Sequence, residues 1–235
     1  MKKTKIIIPA MGLLLLSTAA SVSSTVAWFA MNSSVSATNM QIKAKTDNAY
    51  LIIKQGTVLS GNDKTAASSL NVELYPVKPV VSLTSSNIET LASWGTATST
   101  DPNDPNSAAV PTALSEGTLL GNGNYVAKEQ FRVGILQNSG TPAYPLTLDT
   151  VTFSNVNAGL TAVVVCGTNV YSHNANVAAG GTEILATANE VAVSGGVQID
   201  VYLYIDGSNA NVYTSNAANL SGSLSLVFSI GHAGA

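Results

Sequence analysis

The chain has 235 residues, and only 10% of them are Asp, Glu, Lys or Arg, against about 25% in an ordinary globular protein. Three of its ten basic residues (Lys2, Lys3, Lys5) sit at the extreme N-terminus, leaving seven basic against thirteen acidic residues in the remainder. A mildly acidic chain without a Lys/Arg cluster is not built for nucleic acid or an anionic membrane surface. Its polar but nearly uncharged surface does little to keep copies of itself apart.

The first segment, "MKKTKIIIPAMGLLLLSTAAS", has a basic start, an apolar run from Ile6 to Leu16 and then small residues. That is the layout of a secretory signal peptide, and the apolar run is shorter than the ~20 residues of a membrane span. Small side chains at the last and third-last positions of the leader allow a cut after Ala20, Ala27 or Ala37. The cut after Ala27 is favoured, which makes Trp28 the new N-terminus. A pilin reading is disfavoured, because Pro9 interrupts the apolar run and no acidic residue precedes Asp47. The expectation is a secreted protein, extracellular or on the cell surface, with no membrane segment in its mature form.

Beyond the leader the hydrophobic period is two, the signature of strands with one buried face. Met40, Ile42 and Ala44 alternate with Gln41, Lys43 and Lys45. Further strands are expected at Tyr50–Lys54, Leu70–Tyr75, Tyr125–Leu136, Leu146–Phe153 and Leu160–Cys166. In the fourth of these, Leu146 and Leu148 differ in parity from Val151 and Phe153, so a β-bulge is expected near Asp149–Thr150. "VQIDVYLYID" places Val197, Ile199, Val201, Leu203 and Ile205 on a core face, with Gln198, Asp200, Tyr202, Tyr204 and Asp206 opposite and solvated. "SLSLVFSI" repeats the pattern with Leu224, Leu226, Phe228 and Ile230 inward. "QNSGTPAYP", "GTNVYSHNAN" and "DGSNAN" read as turn clusters. A short helix is expected where Ser86 and Glu89 form a capping box, and a second helical turn around Asn211–Ala218. Strict alternation argues for antiparallel sheets. The expected fold is all-β, an antiparallel β-sandwich of jelly-roll or Greek-key type with one or two short helical crossovers. The organisation read from this is a leader at 1–27, an N-terminal strand segment at 28–45 and one sandwich domain at 46–235.

Residue patterns for catalysis are sparse. No serine sits in a nucleophile elbow and no glycine run matches a phosphate loop. His173 and His232 have no metal-ligand partners at local spacing, and Asp200 and Asp206 belong to a solvated strand face and its turn. Cys166 lies in the apolar run "LTAVVVCG" and, as the single cysteine, reads as a small buried hydrophobe rather than a nucleophile. No cofactor and no enzymatic activity are expected. In "TDPNDPNS", Asp101, Asn103, Asp104 and Asn106 put four oxygen donors within six residues, a weak Ca²⁺ candidate; consecutive proline turns explain the same run. Tyr202, Tyr204 and Tyr213 would offer an aromatic sugar-binding surface if exposed, though tyrosines are ordinary strand residues. Asn32 and Asn219 stand in N-glycosylation sequons.

Two stretches carry a family likeness. "TVAWFAMNSSVSATNMQIKAK" resembles the end of the leader in TasA/camelysin-like secreted proteins, biofilm-matrix fibre subunits matured by the SipW type of signal peptidase. "KEQFRVGILQNSGTPAYPLTLDTVTF" is similar to the central strand pair of that family, the pattern falling on Phe131, Val133, Asn138 and Gly140, and "GSLSLVFSI" resembles its last core strand. The likeness covers about a third of the chain. This sequence is poorer in Lys and Asp than such proteins, and no metal-ligand histidine of a camelysin protease can be placed in it. The resemblance implies cleavage at Ala27/Trp28 and a subunit that polymerises head-to-tail with copies of itself, its N-terminal segment entering the neighbour's sheet as an added strand. Trp28, Phe29, Val35, Ala37, Met40 and Ile42 would form that joint, with a change of parity between Ala37 and Met40. Signal peptidase is the one other expected partner. The alternative is a monomeric cell-surface module that binds a glycan or a host protein. N-terminal sequencing of the secreted protein is expected to begin at Trp28; a start at Ser21 or Thr38 moves the cleavage to one of the other two sites.

Overall fold

The computed structural model describes residues 40–45, 51–59, 65–68, 72, 74–96, 99–101, 104–108, 112–135, 145–154, 159–174, 183–187, 190–191, 195–209, 212 and 223–230. In chain order the strands are β1 (Met40–Lys45), β2 (Leu51–Gln55), β3 (Thr65–Ser68), β4 (Lys78–Pro79), β5 (Trp94–Thr96), β6 (Ser99–Asp101), β7 (Asp104–Ala108), β8 (Thr112–Ala113), β9 (Val126–Ile135), β10 (Leu146–Ser154), β11 (Leu160–Cys166), β12 (Asn169–Asn174), β13 (Glu183–Ala186), β14 (Val197–Ile205) and β15 (Ser223–Ile230). They form a first five-stranded sheet, β13-β10-β15-β1-β3, and a second, β12-β11-β14-β9-β2. A three-stranded sheet (β4-β5-β8) and the β6–β7 hairpin complete the set. Except for the β11–β12 hairpin, consecutive strands of the two large sheets alternate between them. The fold is the expected all-β sandwich. Among the described strands the pairings are antiparallel except that of β1 with β15, which run parallel.

Alternation explains the main core. Ile199, Val201, Leu203 and Ile205 of β14 meet Leu224, Leu226 and Phe228 of β15, together with Phe131, Val133, Leu146, Leu148, Ala162 and Val164, in one buried cluster. The expected bulge is present: the β10–β15 register slips between Leu148 and Thr150. That single extra residue lets Leu146, Leu148 and Val151 all be buried despite their mixed parity.

The other face of the second sheet departs from expectation. Tyr202 and Tyr204, read as solvated, are 2% and 5% exposed. A third layer covers them, drawn from residues between Val77 and Val126: Val77, Ile88, Trp94 and Leu119 pack with Val163, Val165, Tyr202 and Tyr204 into a second apolar cluster. Trp94 meets Tyr204 edge to face at 4.9 Å, and its indole N–H donates to the Ile88 carbonyl at 2.8 Å. The cover is stitched down at Val77, which donates to the Ile205 carbonyl and accepts from Gly207 N–H. Period two cannot distinguish a polar-side tyrosine from one buried under another layer, because tyrosine suits both environments.

The helix expected from Ser86 does not form. Residues 85–89 make turns and Leu91–Ser93 a single 3-10 turn. The Asn87 carboxamide accepts from Thr84 N–H at 2.7 Å, a local side-chain bond that competes with helix. Ile88 and Trp94 are nevertheless fully buried. The second helical turn, at 211–218, lies outside the described residues but for Val212. Among the described residues of "GTNVYSHNAN", expected as a turn, only Gly167 and Thr168 form one. Gly167 has φ +59°, the left-handed region that a two-residue hairpin demands, and β12 then pairs with β11 from Cys166↔Asn169 to Thr161↔Asn174. Trp94→Ala is expected to lower the unfolding free energy by about 3–5 kcal/mol, read by urea denaturation; a loss within error of zero would mean the third layer is not packed as described.

Candidate assembly site

β1 is the part of the joint segment that the structure describes. On one flank it lies parallel to β15, from Gln41↔Ser225 through Ile42↔Leu226 and Ala44↔Phe228 to Lys45↔Ser229. On the other it lies antiparallel to β3, from Met40↔Ser68 through Ile42↔Ala66 to Lys43↔Thr65. Thus Met40 and Ile42 belong to β1, and Ile42 and Ala44 stand in register with the buried Leu226 and Phe228. Neither flanking strand is joined to β1 by a hairpin. Its covalent successor, β2, lies in the opposite sheet across residues 46–50, while β15 comes from the far end of the chain. β1 therefore fills a slot whose walls other parts of the chain build. Main-chain pairing on both flanks holds it.

Trp28, Phe29, Val35 and Ala37 lie outside the described residues, as do Ala27, Asn32, Asn103, Tyr213, Asn219, His232, Asn138 and Gly140. Phe131 and Val133 of the family-like pattern are fully buried in β9. The calcium candidate falls on the β6–β7 hairpin, where Asp101 pairs with Asp104 across the turn and Asn106 lies within β7. Tyr202 and Tyr204, buried under the third layer, are not available as a sugar-binding surface. Among the described residues no three or more His, Cys, Asp or Glu side chains gather at metal-binding distance, and no helix is long and apolar enough to cross a membrane.

The opposite edge of the first sheet is clasped by side chains of β12. Asn169 donates to the Leu185 carbonyl at 2.8 Å, and the Tyr171 hydroxyl to the Ile184 carbonyl at 2.9 Å. His173, which sequence spacing left without a partner, is buried two residues further on, its Nε2 2.9 Å from Glu183 Oε2. Asn169, Tyr171 and His173 share one parity of a strand that reads as a turn, so the pattern was hidden by the Asn, Ser and Gly around it. Polar side chains close this edge of the sandwich. Cys166 lies nearby, beside an open cavity of about 280 Å³; burial, with Glu190 and Asp200 adding to it, pushes its thiol up to about 11, so it is an inert thiol at neutral pH.

One charged cluster lies on the far side of the second sheet. Lys128 Nζ is 2.5 Å from Glu89 Oε1 and 3.1 Å from Asp200 Oδ2, and the Tyr202 hydroxyl donates to Glu89 Oε1 at 2.6 Å. Gln130 and Gln198 donate to Asp200 Oδ1. The β9–β14 register, with Lys128 opposite Tyr202 and Gln130 opposite Asp200, brings these groups side by side. Burial opposes the Lys128 charge, but hydrogen bonds with Glu89, Tyr202 and Asp200 outweigh it and hold its pKa above the usual lysine range. Hydrogen bonds from Lys128 and Tyr202 hold the Glu89 carboxyl below the usual carboxylate range. Burial raises the Tyr202 phenol. Expected as a helix cap, Glu89 is instead the polar tie between the third layer and the sheet. Every member of the cluster is engaged by another, which suits a fastening rather than a reactive centre.

No family model, no curated protein and no solved structure matches this chain.

Because folding depresses the Glu89 pKa, its contribution to stability is present above the unfolded value near 4.5 and is lost as pH falls through the folded value. Glu89 is half exposed, so Glu89→Gln is expected to cost less than about 1 kcal/mol at pH 7 and progressively less as the pH falls below 4.5, read from urea midpoints at pH 7 and pH 3. An equal loss at both would show that its charge is irrelevant to the tie.

Proposed function

We propose that the protein is a secreted structural subunit that polymerises into an extracellular filament or biofilm-matrix fibre by exchange of its N-terminal strand segment between copies. The observation that carries this reading is the placement of β1. A strand seated between β15 and β3, with a hairpin to neither, occupies a slot that the same strand of a second copy fills with identical pairing. Residues 46–50 join it covalently to β2, and five residues span at most about 17 Å. Exchange therefore keeps neighbouring subunits close, and head-to-tail repetition of one heterologous contact propagates as a fibre.

Three further features support it. The leader-like N-terminus fits an exported chain that is trimmed by signal peptidase before it assembles. The scarcity of charge lowers the repulsion between subunits. The side-chain clasp of Asn169 and Tyr171 on β13 blunts the edge of the first sheet that lies away from β1, which directs strand addition to the β15–β1–β3 flank. In the fibre, Trp28 and Phe29 lead the exchanged segment, Val35 and Ala37 follow, and Met40 and Ile42 enter the slot.

Electron microscopy of the chain beginning at Trp28, beside one beginning at Lys45, tests the reading. Filaments from the first and none from the second are expected. Monodisperse particles from both would overturn polymerisation and favour a monomeric binding module, while filaments from both would remove the N-terminal strand from the joint.

A further inference from the structure

The strand registers put both ends of the link between β1 and β2 at one end of the sandwich, the near end. In the first sheet, Lys45 stands opposite Ser229, and Leu146 stands between Ile230 and Ala186. In the second, Leu51 stands opposite Ile135, and β14 begins nearby at Val197, opposite Val133. The open cavity of about 280 Å³ shows that these strand ends coincide: Leu185 and Ala186 line it from the first sheet, Gly167, Asn169 and Val197 from the second. Met40, Ser154 and Ser223 mark the far end of the first sheet. A strand exchanged between copies carries this geometry with it. The donor's Lys45 takes its place at the near end of the acceptor, while the donor's Leu51 stays at the near end of the donor. The link from Lys45 to Leu51 reaches at most about 20 Å. To set the donor against the acceptor's far end, that link would have to run back along the acceptor, where the nine residues of β14 alone measure about 30 Å. It is too short to do so.

We infer that neighbouring subunits meet like end to like end, through the near end of the sandwich, and that the partner of this surface is a second copy of the chain. The inference rests on the strand-exchange reading and names the face at which exchange takes place. The contact stays heterologous, because one subunit gives a strand and the other takes it. Every subunit does both, so its two neighbours stand at the same end of it. The near ends therefore follow the fibre axis, and the far ends turn outward. The surface suits contact with its own copy. A face that meets its like brings equal charges together, and like charges across an interface are costly. Around the cavity only Glu190 is charged at neutral pH, since the Cys166 thiol is held protonated. Buried Leu185 and Ala186 form an apolar floor, and Thr168 and Asn169 stand exposed at the rim.

Bulky labels at the two ends test it, in the chain beginning at Trp28 and carrying Cys166→Ala. Thr168→Cys puts a thiol on the exposed β11–β12 turn at the near end, and Ser154→Cys puts one on the exposed far end of β10. Each variant is capped with a maleimide polyethylene glycol and viewed by electron microscopy beside its uncapped form. Capping is expected to abolish filaments of the Thr168→Cys variant and to leave those of the Ser154→Cys variant unchanged. Should an uncapped cysteine variant not assemble, Thr168→Arg and Ser154→Arg make the same comparison without a label, because the added charges face each other only where like ends meet. Filaments from the capped Thr168→Cys or the Thr168→Arg chain, or their loss from the Ser154 counterpart, would overturn the like-end contact. No filaments from the unsubstituted chain would instead overturn polymerisation itself, so the two failures are told apart.

Discussion

The second sheet has to bury both of its faces, and most of the architecture answers that requirement. β11 is buried along its whole length, and β14 is buried from Val201 to Ile205. A sheet of this kind in an antiparallel protein needs a layer on each side. The first sheet supplies one. The other is assembled from irregular chain between β3 and β9, which contributes Val77, Ile88, Trp94 and Leu119 as its apolar contacts. Because turns and two- or three-residue strands cannot hold themselves in place, the third layer depends on the sheet it covers. Trp94 against Tyr204 and Glu89 against Lys128 and Tyr202 are the two points where that dependence is most direct.

Charge is used sparingly, and among the described residues it gathers most densely around Lys128. In a chain with so few ionisable side chains, Lys128 is shared by Glu89 and Asp200, and Asp200 is further satisfied by two glutamines. A half-buried lysine of this kind would be costly alone, since burial opposes its charge, and it is tolerated because its partners are gathered around it. At the opposite margin the sandwich is closed by neutral side chains bonding to backbone carbonyls, which protects an edge without adding charge.

The two ends of the described chain meet in the first sheet. β15, the last strand, is flanked by β10 and by β1, the first strand, so this sheet is complete only when residues more than 180 positions apart have paired. Closure of such long loops comes late and slowly in folding. Until β1 is seated, the flank of β15 is an open edge. The parallel β1–β15 pairing is open to these strands because no hairpin joins them, since a tight turn gives only antiparallel neighbours. The strand-exchange reading rests on that same gap in local connectivity.

Much of this was legible in the sequence. Period-two alternation located β1, β2, β9, β10, β11, β14 and β15, because a strand with one apolar face writes its orientation into every second residue. A parity conflict between Leu148 and Val151 located the bulge for the same reason. What alternation cannot encode is what lies above the other face. Tyr202 and Tyr204 read as solvated, and only the third layer, whose own residues have no regular period, decided that they are buried. β12 escaped notice because Asn169, Ser172 and His173 carry turn-like propensity, overridden by pairing with β11 along its length. Glu89 looked like a local cap three residues from Ser86, yet its partners are Lys128 and Tyr202, 39 and 113 positions away. The sequence by itself determined which residues share a face, since that is set by local backbone geometry. Only the tertiary structure decided which face meets water, which strands are neighbours and which charges are paired, since those depend on contacts between parts of the chain with no local relation to one another.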